Sequence, residues 1–141
     1  ISLCVQHQHA MFAHVGDSRA YLVRGDLIQQ ISEDHSLVNE QIKAGMITPD
    51  EARHSRYKNI ITRSVGFEEE VQVDVMGIML ELNDSFILCS DGLANLVEDR
   101  EIREIISTSE LKDAPKKLVD LANERGGDDN ITVIVVRAVP A

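Results

Sequence analysis

The chain has 141 residues, of which 43% are hydrophobic and 27% are charged. This composition is that of one globular domain with its own core, and it excludes a disordered or collagen-like chain. The net charge of −10 argues against a role in non-specific binding of nucleic acid or of an anionic membrane surface. No apolar run is long enough to predict a membrane span.

Strand patterns fill the first thirty residues. Residues 1–8 alternate apolar and polar side chains, as a half-buried strand does. Strands over 10–15 and 19–23 follow, separated by a Gly-Asp-Ser turn. Arg-Gly-Asp at 24–26 is a hairpin signal, and a short strand through Ile31 comes after it. This segment therefore predicts an antiparallel meander.

The pattern then changes to two short helices. Apolar residues over 37–42 follow helical spacing, and Gly45 stands where a C-terminal cap belongs. Thr48 is placed to cap the second helix, with Pro49 in its first turn and Glu51 completing a capping box.

The second half of the chain mixes strands and helices. Alternating valines predict a strand over 71–75, and a buried strand follows over 86–89. Helices are predicted to begin near Asp99 and near Asp113, each with an apolar stripe, and the last strand covers 131–136. Helices lying on antiparallel sheet predict a layered α+β domain.

The start of the chain is informative. There is no initiator Met, and residues 1–5 already follow the alternation of a strand. Natural domains usually begin in exposed linkers rather than within a strand. We therefore expect this chain to be the back part of a larger protein, and a trimmed mature protein is the alternative.

The cysteines and histidines give no zinc pattern. Cys4 and Cys89 each lie inside an apolar stretch, far apart and without a Cys-x-x-Cys spacing. They predict buried, reduced thiols in a cytoplasmic protein rather than a disulfide. The five histidines are expected to face solvent or to be satisfied core residues.

Two acidic motifs lie at the ends of predicted core strands. Cys-Ser-Asp-Gly at 89–92 follows one apolar run, and Gly-Asp-Asp-Asn at 127–130 precedes the run 131–136. Carboxylates such as Asp91 and Asp129 are the ligands that Mg²⁺ and Mn²⁺ prefer, and the fold can bring them together. Ordinary turns are the alternative, since Asp-Gly and Asp-Asn are common turn dipeptides.

Two further residues bear on this hypothesis. Gly92 removes side-chain bulk beside Asp91, which predicts close approach of an ion or phosphate. Asp17 also lies at the end of a predicted strand, the second one, and is therefore a third candidate metal ligand. From the residues alone, however, a turn aspartate paired with Arg19 is the favoured interpretation of Asp17.

The chain has one dense basic cluster, residues 53–58, which contains Arg53, His54, Arg56 and Lys58. It could receive an anionic substrate such as a phosphopeptide. The sequence alone favours a solvated loop instead. Its position outside the strand pattern makes it a candidate for a mobile flap.

Taken together, the motifs occur in the order and spacing of a known family and extend over essentially the whole chain. They resemble the metal-dependent serine/threonine protein phosphatases of type 2C, in their bacterial form. One motif alone would be weak, but five in order are specific. The matching stretches are Ala-His-Val-Gly-Asp-Ser-Arg-Ala-Tyr at 13–21, Asp-His-Ser-Leu at 34–37, Ile-Ile-Thr-Arg-Ser-Val-Gly at 60–66, Leu-Cys-Ser-Asp-Gly-Leu at 88–93 and Gly-Asp-Asp-Asn-Ile-Thr-Val at 127–133.

The resemblance implies a fold and a mechanism. Family members have two antiparallel sheets packed face to face and flanked by helices, a four-layer α-β-β-α sandwich of which this chain would hold a part. Acidic residues hold two Mn²⁺ or Mg²⁺ ions, and a metal-bridging hydroxide hydrolyses phosphoserine or phosphothreonine. By this match Asp91 and Asp129 are metal ligands, and Asp17 helps Asp91 to hold a third, weaker ion.

The resemblance also implies a flap and partners. Residues 35–66 would form the flap beside the active site, which strengthens the case for a substrate role of Arg53, His54 and Arg56. The expected partners are phosphorylated proteins and a cognate serine/threonine kinase in cytoplasmic signal transduction, and no nucleic acid.

One departure from the family pattern limits these expectations. The family's first half carries further acidic ligands, an Arg that binds phosphate and a His proposed as general acid, and none of these is found here. The resemblance therefore implies that residues 1–141 are the C-terminal part of one catalytic domain and lack efficient activity alone. A non-catalytic binding module with a degenerate phosphatase fold is the alternative, and a structural cation site in an unrelated α+β domain is a third interpretation.

Overall fold

The computed structural model describes residues 1–140. The strands and helices of this part of the chain are β1 (Ser2–Gln6), β2 (His9–His14), β3 (Arg19–Arg24), β4 (Leu27–Gln30), α1 (Leu37–Lys43), α2 (Pro49–Arg53), β5 (Asp74–Met79), β6 (Ser85–Cys89), α3 (Asp91–Ala94), α4 (Asp99–Thr108), α5 (Ala114–Glu124) and β7 (Val133–Arg137).

The strands form two antiparallel sheets. One has three strands in the order β1-β2-β5, and the other has four in the order β4-β3-β6-β7. The sheets pack face to face through apolar residues of β2, β3 and β6, and the rings of Phe12 and Phe86 lie 5.4 Å apart between them. The predicted α+β class with an antiparallel sandwich is confirmed.

A second core lies on the other face of the four-stranded sheet. Tyr21 and Ile87 point away from the sandwich interior and are fully buried against the helices. The helices contribute their apolar stripes, including Ile102 and Ile106 from α4 and Leu118 from α5. Because both faces of this sheet are covered, every residue of β6 is buried, which explains its continuous apolar run.

The outer face of the three-stranded sheet has no such cover within residues 1–140. Met11 is 39% exposed there, and Val75 and Met79 are 66% and 64% exposed. Cys4 faces the same way and is exposed, so the expectation that both cysteines are buried is wrong for Cys4 and right for Cys89. The described residues thus supply three of the four expected layers.

The helix ends predicted from the sequence are confirmed where the contacts that stabilise them lie within a few residues. Thr48 and Glu51 form the predicted capping box, and Gly45 adopts a positive φ of 68° just after α1. The strand predicted over 71–75 instead begins at Asp74, because it is Met76 and Ile78 that pack into the sandwich. Among residues 1–140, no helix is long and apolar enough to cross a bilayer.

Candidate functional site

Ser90 joins the two acidic motifs. β6 and β7 pair antiparallel up to Cys89 and Val133, where the regular ladder ends. Beyond that point the Ser90 N–H donates to the Thr132 carbonyl at 3.1 Å. Ser90 Oγ also donates to the Asn130 carbonyl at 2.9 Å and accepts from the Thr132 N–H at 3.0 Å. These three bonds extend the pairing past the sheet and bring the loop before β7 to the start of α3.

Gly92 makes this junction possible. A Cβ at Gly92 would lie 2.6 Å from the carbonyl oxygen of Asn130 and 3.2 Å from its carbon, so no side chain fits without a backbone shift. The expectation that the missing side chain admits an ion or phosphate is therefore wrong, because the space is filled by backbone. Glycine instead allows the two acidic motifs to touch.

Three aspartates lie near this junction, close enough for the charges of two of them to act on the third. Asp91 is the first residue of α3, Asp129 lies in the loop before β7, and Asp17 lies in the turn between β2 and β3. Burial raises the pKa of the Asp91 carboxyl, and the negative charges of Asp17 and Asp129 raise it further. The chain thus places like charges around a partly buried carboxylate, an arrangement that a cation would relieve.

Asp17 is free to take part in such a site. The interpretation that Asp17 pairs with Arg19 is wrong, because the Arg19 guanidinium is engaged by Asp34: Nε and Nη2 lie 2.9 and 2.6 Å from Asp34 Oδ2. Gln30 also donates to Asp34, at 2.8 Å. Among the described residues, Asp17 has no ion-pair partner.

The donor set suits a hard divalent cation but is incomplete. All three side chains are carboxylates, the oxygen ligands that Mg²⁺ and Mn²⁺ prefer. Within residues 1–140, however, no three His, Cys, Asp or Glu side chains are grouped closely enough to hold a metal ion. The carboxyl of Asp129 is exposed, and its Oδ1 accepts the N–H of Asn130 at 2.6 Å. These aspartates can therefore supply only part of a coordination shell.

A groove of about 620 Å³ runs from the aspartates to the basic cluster. Asp17 and Asp91 line one part of it, and Arg53 and Lys58 line another. The other predicted substrate residues lie elsewhere. His54 Nδ1 is 2.9 Å from the Asp50 carbonyl, and the Arg56 guanidinium stacks 4.6 Å above the ring of Tyr57. Of the three residues predicted to bind substrate, only Arg53 lines the groove.

Known proteins resemble this chain over nearly its full length. The sequence profile described as Protein phosphatase 2C matches residues 1–44. The protein phosphatase PhpP of Streptococcus pneumoniae is 47% identical over 135 residues, which are 95% of this chain and 55% of that protein. The chain belongs to the protein phosphatase 2C family.

Solved structures of phosphatases agree with this assignment. The serine/threonine phosphatase of S. agalactiae is 40% identical, with a TM-score of 0.91 over 98% of this chain and 57% of that one. The catalytic domain of the phosphatase PstP, solved in complex with 2 manganese ions, is 33% identical with a TM-score of 0.88, over 98% of this chain and 57% of that one. The chain therefore spans a little over half the length of the phosphatases it matches.

Sequence reasoning missed several polar residues of this phosphatase-family site. In the sequence Ser90 is only one position of an acidic motif, although in the fold it holds the two motifs together. Lys58 belongs to the predicted basic cluster, and its place in the groove depends on the path of the loop after α2. His35 belongs to a motif that resembles the family, but the sequence predicts no role for it, although its ring contacts both the Asp17 turn and β5. For Ser90 and His35 the available signal was a polar residue inside a matched motif, beside the aspartate that the motif was read for.

Proposed function

We propose that this chain is part of a metal-dependent protein phosphatase that hydrolyses phosphoserine and phosphothreonine in proteins. The main structural support for this proposal is the junction at which Ser90 and Gly92 hold Asp91 beside the loop that contains Asp129. The printed names and folds of its relatives support the same reaction class. Because the chain spans little more than half of those relatives, the proposal concerns the full-length protein.

In this proposal Asp91 and Asp129 supply carboxylate oxygens to the principal metal site, and Asp17 with Asp91 supplies oxygens to a weaker one. Burial first, and the negative charges of Asp17 and Asp129 second, raise the pKa of the Asp91 carboxyl, and a bound cation would relieve the repulsion among the three carboxylates. Mn²⁺ or Mg²⁺ bound there would activate water and stabilise charge on the transferring phosphoryl group. The manganese-bound PstP domain supports the choice of Mn²⁺ for the first test.

The groove suits the polypeptide that carries the phosphate. Arg53 and Lys58 line it and have no ion-pair partner among the described residues, so both remain available to an anionic substrate. We propose that they contact acidic side chains near the phosphorylated residue. The His54 ring contacts the Asp50 carbonyl and the Arg56 guanidinium stacks on Tyr57, so neither residue is assigned a direct substrate contact in the groove.

Partners and location follow from the same proposal. Phosphorylated proteins, including a cognate serine/threonine kinase, would be its substrates. Cys4 and Cys89 are both free thiols, which supports a reducing compartment such as the cytoplasm.

The test is Mn²⁺-dependent hydrolysis of a phosphothreonine peptide by the full-length protein, with Asp91→Asn and Asp129→Asn in parallel. Each substitution removes a negative charge while nearly preserving shape, so turnover should fall by at least about 100-fold in both. Asp128→Asn is the matched control, because Asp128 is the adjacent exposed carboxylate and is assigned no ligand role. Full turnover in either ligand variant, or none in the wild type loaded with Mn²⁺, would refute the proposal.

A further inference from the structure

His35 binds both backbone groups of the glycine that precedes Asp17. Its backbone N–H donates to the Gly16 carbonyl at 2.8 Å, and its ring Nδ1 accepts the Gly16 N–H at 3.0 Å. Gly16 has a φ of 109°, which glycine adopts without strain. Because glycine adopts many other backbone conformations as easily, the residue type alone does not fix this one. The geometry of the turn carrying Asp17 therefore depends on these two bonds from His35.

The opposite side of the His35 ring is also fixed. Acceptance at Nδ1 leaves the ring proton on Nε2, which donates to Asp74 Oδ2 at 2.9 Å. Arg63 Nη1 donates to the other oxygen of Asp74 at 2.8 Å and packs 2.9 Å from His35 Nε2, so the three side chains form one cluster. The bonds from His35 and from Arg63 lower the pKa of Asp74, so its carboxylate remains charged and accepts from both.

The ring has little freedom to move. Only 6% of His35 is exposed, and its ring stacks on that of His14 with centroids 4.9 Å apart. His14 is itself anchored, because its Nε2 lies 3.0 Å from the Glu33 carbonyl. A ring held at both nitrogens and on one face is suited to setting the position of what it contacts.

His35 also stands at the base of the segment that carries the basic cluster. The Thr62 N–H donates to the His35 carbonyl at 2.9 Å, and the next residue, Ser36, forms an isolated bridge with Ile61. The two ends of residues 36–61 are thereby tied together at His35. The same residue thus contacts the Asp17 turn, β5 and the base of this segment.

We infer that His35 is a positioning residue that fixes the Asp17 turn relative to the base of the segment carrying Arg53 and Lys58. Its Nδ1 holds the turn and its backbone carbonyl holds Thr62 at the base of that segment, while Nε2 orients the ring through Asp74. The turn and the base of the segment therefore keep one relative geometry. The inference rests on the proposed function for the identity of Asp17 as a ligand. It adds a residue that touches neither metal nor substrate.

Two substitutions separate the two sides of the ring. In His35→Asn the amide oxygen stands close to the former Nδ1 position, so the Gly16 N–H keeps an acceptor while the bond to Asp74 is lost. In His35→Gln the longer amide reaches Asp74 but leaves the Gly16 N–H without its acceptor. Ser32→Ala is the matched control. Ser32 is similarly buried, 5% exposed, and its hydroxyl accepts the Ala20 N–H at 2.9 Å, a bond that does not involve Gly16.

The experiment uses the full-length protein and two readouts besides activity: calorimetric Mn²⁺ titration, and amide hydrogen exchange across residues 16–18. His35→Gln should weaken the lower-affinity Mn²⁺ phase about 10-fold and expose these amides to exchange. His35→Asn should stay within about 2-fold of the wild type, as should Ser32→Ala despite its lost hydrogen bond. Thermal unfolding of each variant, followed in parallel, identifies any loss that merely reflects global instability.

The outcomes decide the inference separately from the proposed function. Equal Mn²⁺ affinities in a folded His35→Gln and the wild type would overturn it, as would the lack of a second Mn²⁺ phase in the wild type. If His35→Gln does not fold, a folded His35→Ala, which also removes the acceptor of the Gly16 N–H, takes its place: a second Mn²⁺ phase about 10-fold weaker supports the inference, and wild-type affinity overturns it. Peptide hydrolysis by the wild type, measured alongside, tests the proposed function whatever the two variants do.

Discussion

Ser90 Oγ donates a hydrogen bond of 2.9 Å to the carbonyl oxygen of Asn130, a residue 40 positions further along the chain. The same hydroxyl accepts the Thr132 N–H, so a single side chain satisfies two backbone groups of the loop that carries Asp129. This contact converts two separate acidic motifs into one site.

Replacing Ser90 should loosen that junction. Ser90→Ala removes one donor and one acceptor, and we expect a loss of about 1–2 kcal/mol in the free energy of unfolding together with weaker Mn²⁺ binding. Urea unfolding and calorimetry measure the two effects. Ser107→Ala, at an exposed position of α4, should change neither. Wild-type Mn²⁺ affinity in Ser90→Ala would show that the junction does not position the ligands.

Gly92 offers a steric test of the same contact. In Gly92→Ala the new methyl group would lie 2.6 Å from the Asn130 carbonyl oxygen, so the two loops must separate. We expect about 1–3 kcal/mol of destabilisation and a loss of Mn²⁺ affinity. Gly77→Ala is the control, because Gly77 also lacks a positive φ and its methyl group would meet only the flexible end of Met11. A stability loss as large in the control would contradict the assigned cause.

How far the sequence could predict this site depends on the range of the contacts. The capping box of Thr48 and Glu51 was predictable because both partners lie within one turn of a helix. The contact of Gly92 with Asn130 was not, since it depends on which strands become neighbours in the sheet. The exposure of Cys4 was missed for a similar reason: alternation shows which residues share a face, but not whether another layer covers that face.

Because of the charge repulsion at Asp91, we expect Asp91→Asn to stabilise the metal-free protein but to remove stabilisation by Mn²⁺. The raised pKa of Asp91 means that its charged form is disfavoured in the folded protein, by burial first and by Asp17 and Asp129 second. Asp91→Asn should therefore raise the Tm of the metal-free protein by a few degrees. Mn²⁺ at about 100 times its Kd should stabilise the wild type by about 2.7 kcal/mol and the variant far less. Calorimetric melting checks both, and a lower Tm of the metal-free variant would contradict the repulsion.

The ion pair between α4 and the end of α5 predicts a pH dependence. Arg125 donates to both carboxyl oxygens of Glu101 at 2.6 and 2.7 Å, and with the Glu98 N–H it lowers the pKa of Glu101 from 4.5 to about 2. A lowered pKa means stability that is present above pH 4.5 and lost as the pH falls towards 2.

The substitution Glu101→Gln isolates that charge, because glutamine also serves in a capping box. The wild type should be more stable than Glu101→Gln at pH 7, and the difference should shrink between pH 4.5 and 2. Urea unfolding across this range gives the comparison. Asp120→Asn, which removes an exposed pair with Lys116, should show little difference at any pH. A stability difference between the wild type and Glu101→Gln that does not vary with pH would argue against the ion pair of Glu101 with Arg125.

The groove predicts which cations of the basic cluster matter for substrate binding. Removing the side chains that line it, in Arg53→Ala and Lys58→Ala, should raise KM for an acidic phosphopeptide by about 3–10-fold each, with less effect at high salt. His54→Ala and Arg56→Ala should leave KM nearly unchanged, since both side chains are engaged outside the groove. Steady-state kinetics at two salt concentrations makes the comparison. Equal effects at all four positions would indicate general attraction by the cluster instead.

The most direct test of the central claim is a crystal structure of the full-length protein grown with Mn²⁺, with anomalous diffraction used to locate the ions. We expect anomalous peaks in contact with the carboxylates of Asp91 and Asp129, and a weaker peak between Asp91 and Asp17. Peaks elsewhere, or fully occupied ions that neither Asp91 nor Asp129 contacts, would contradict it.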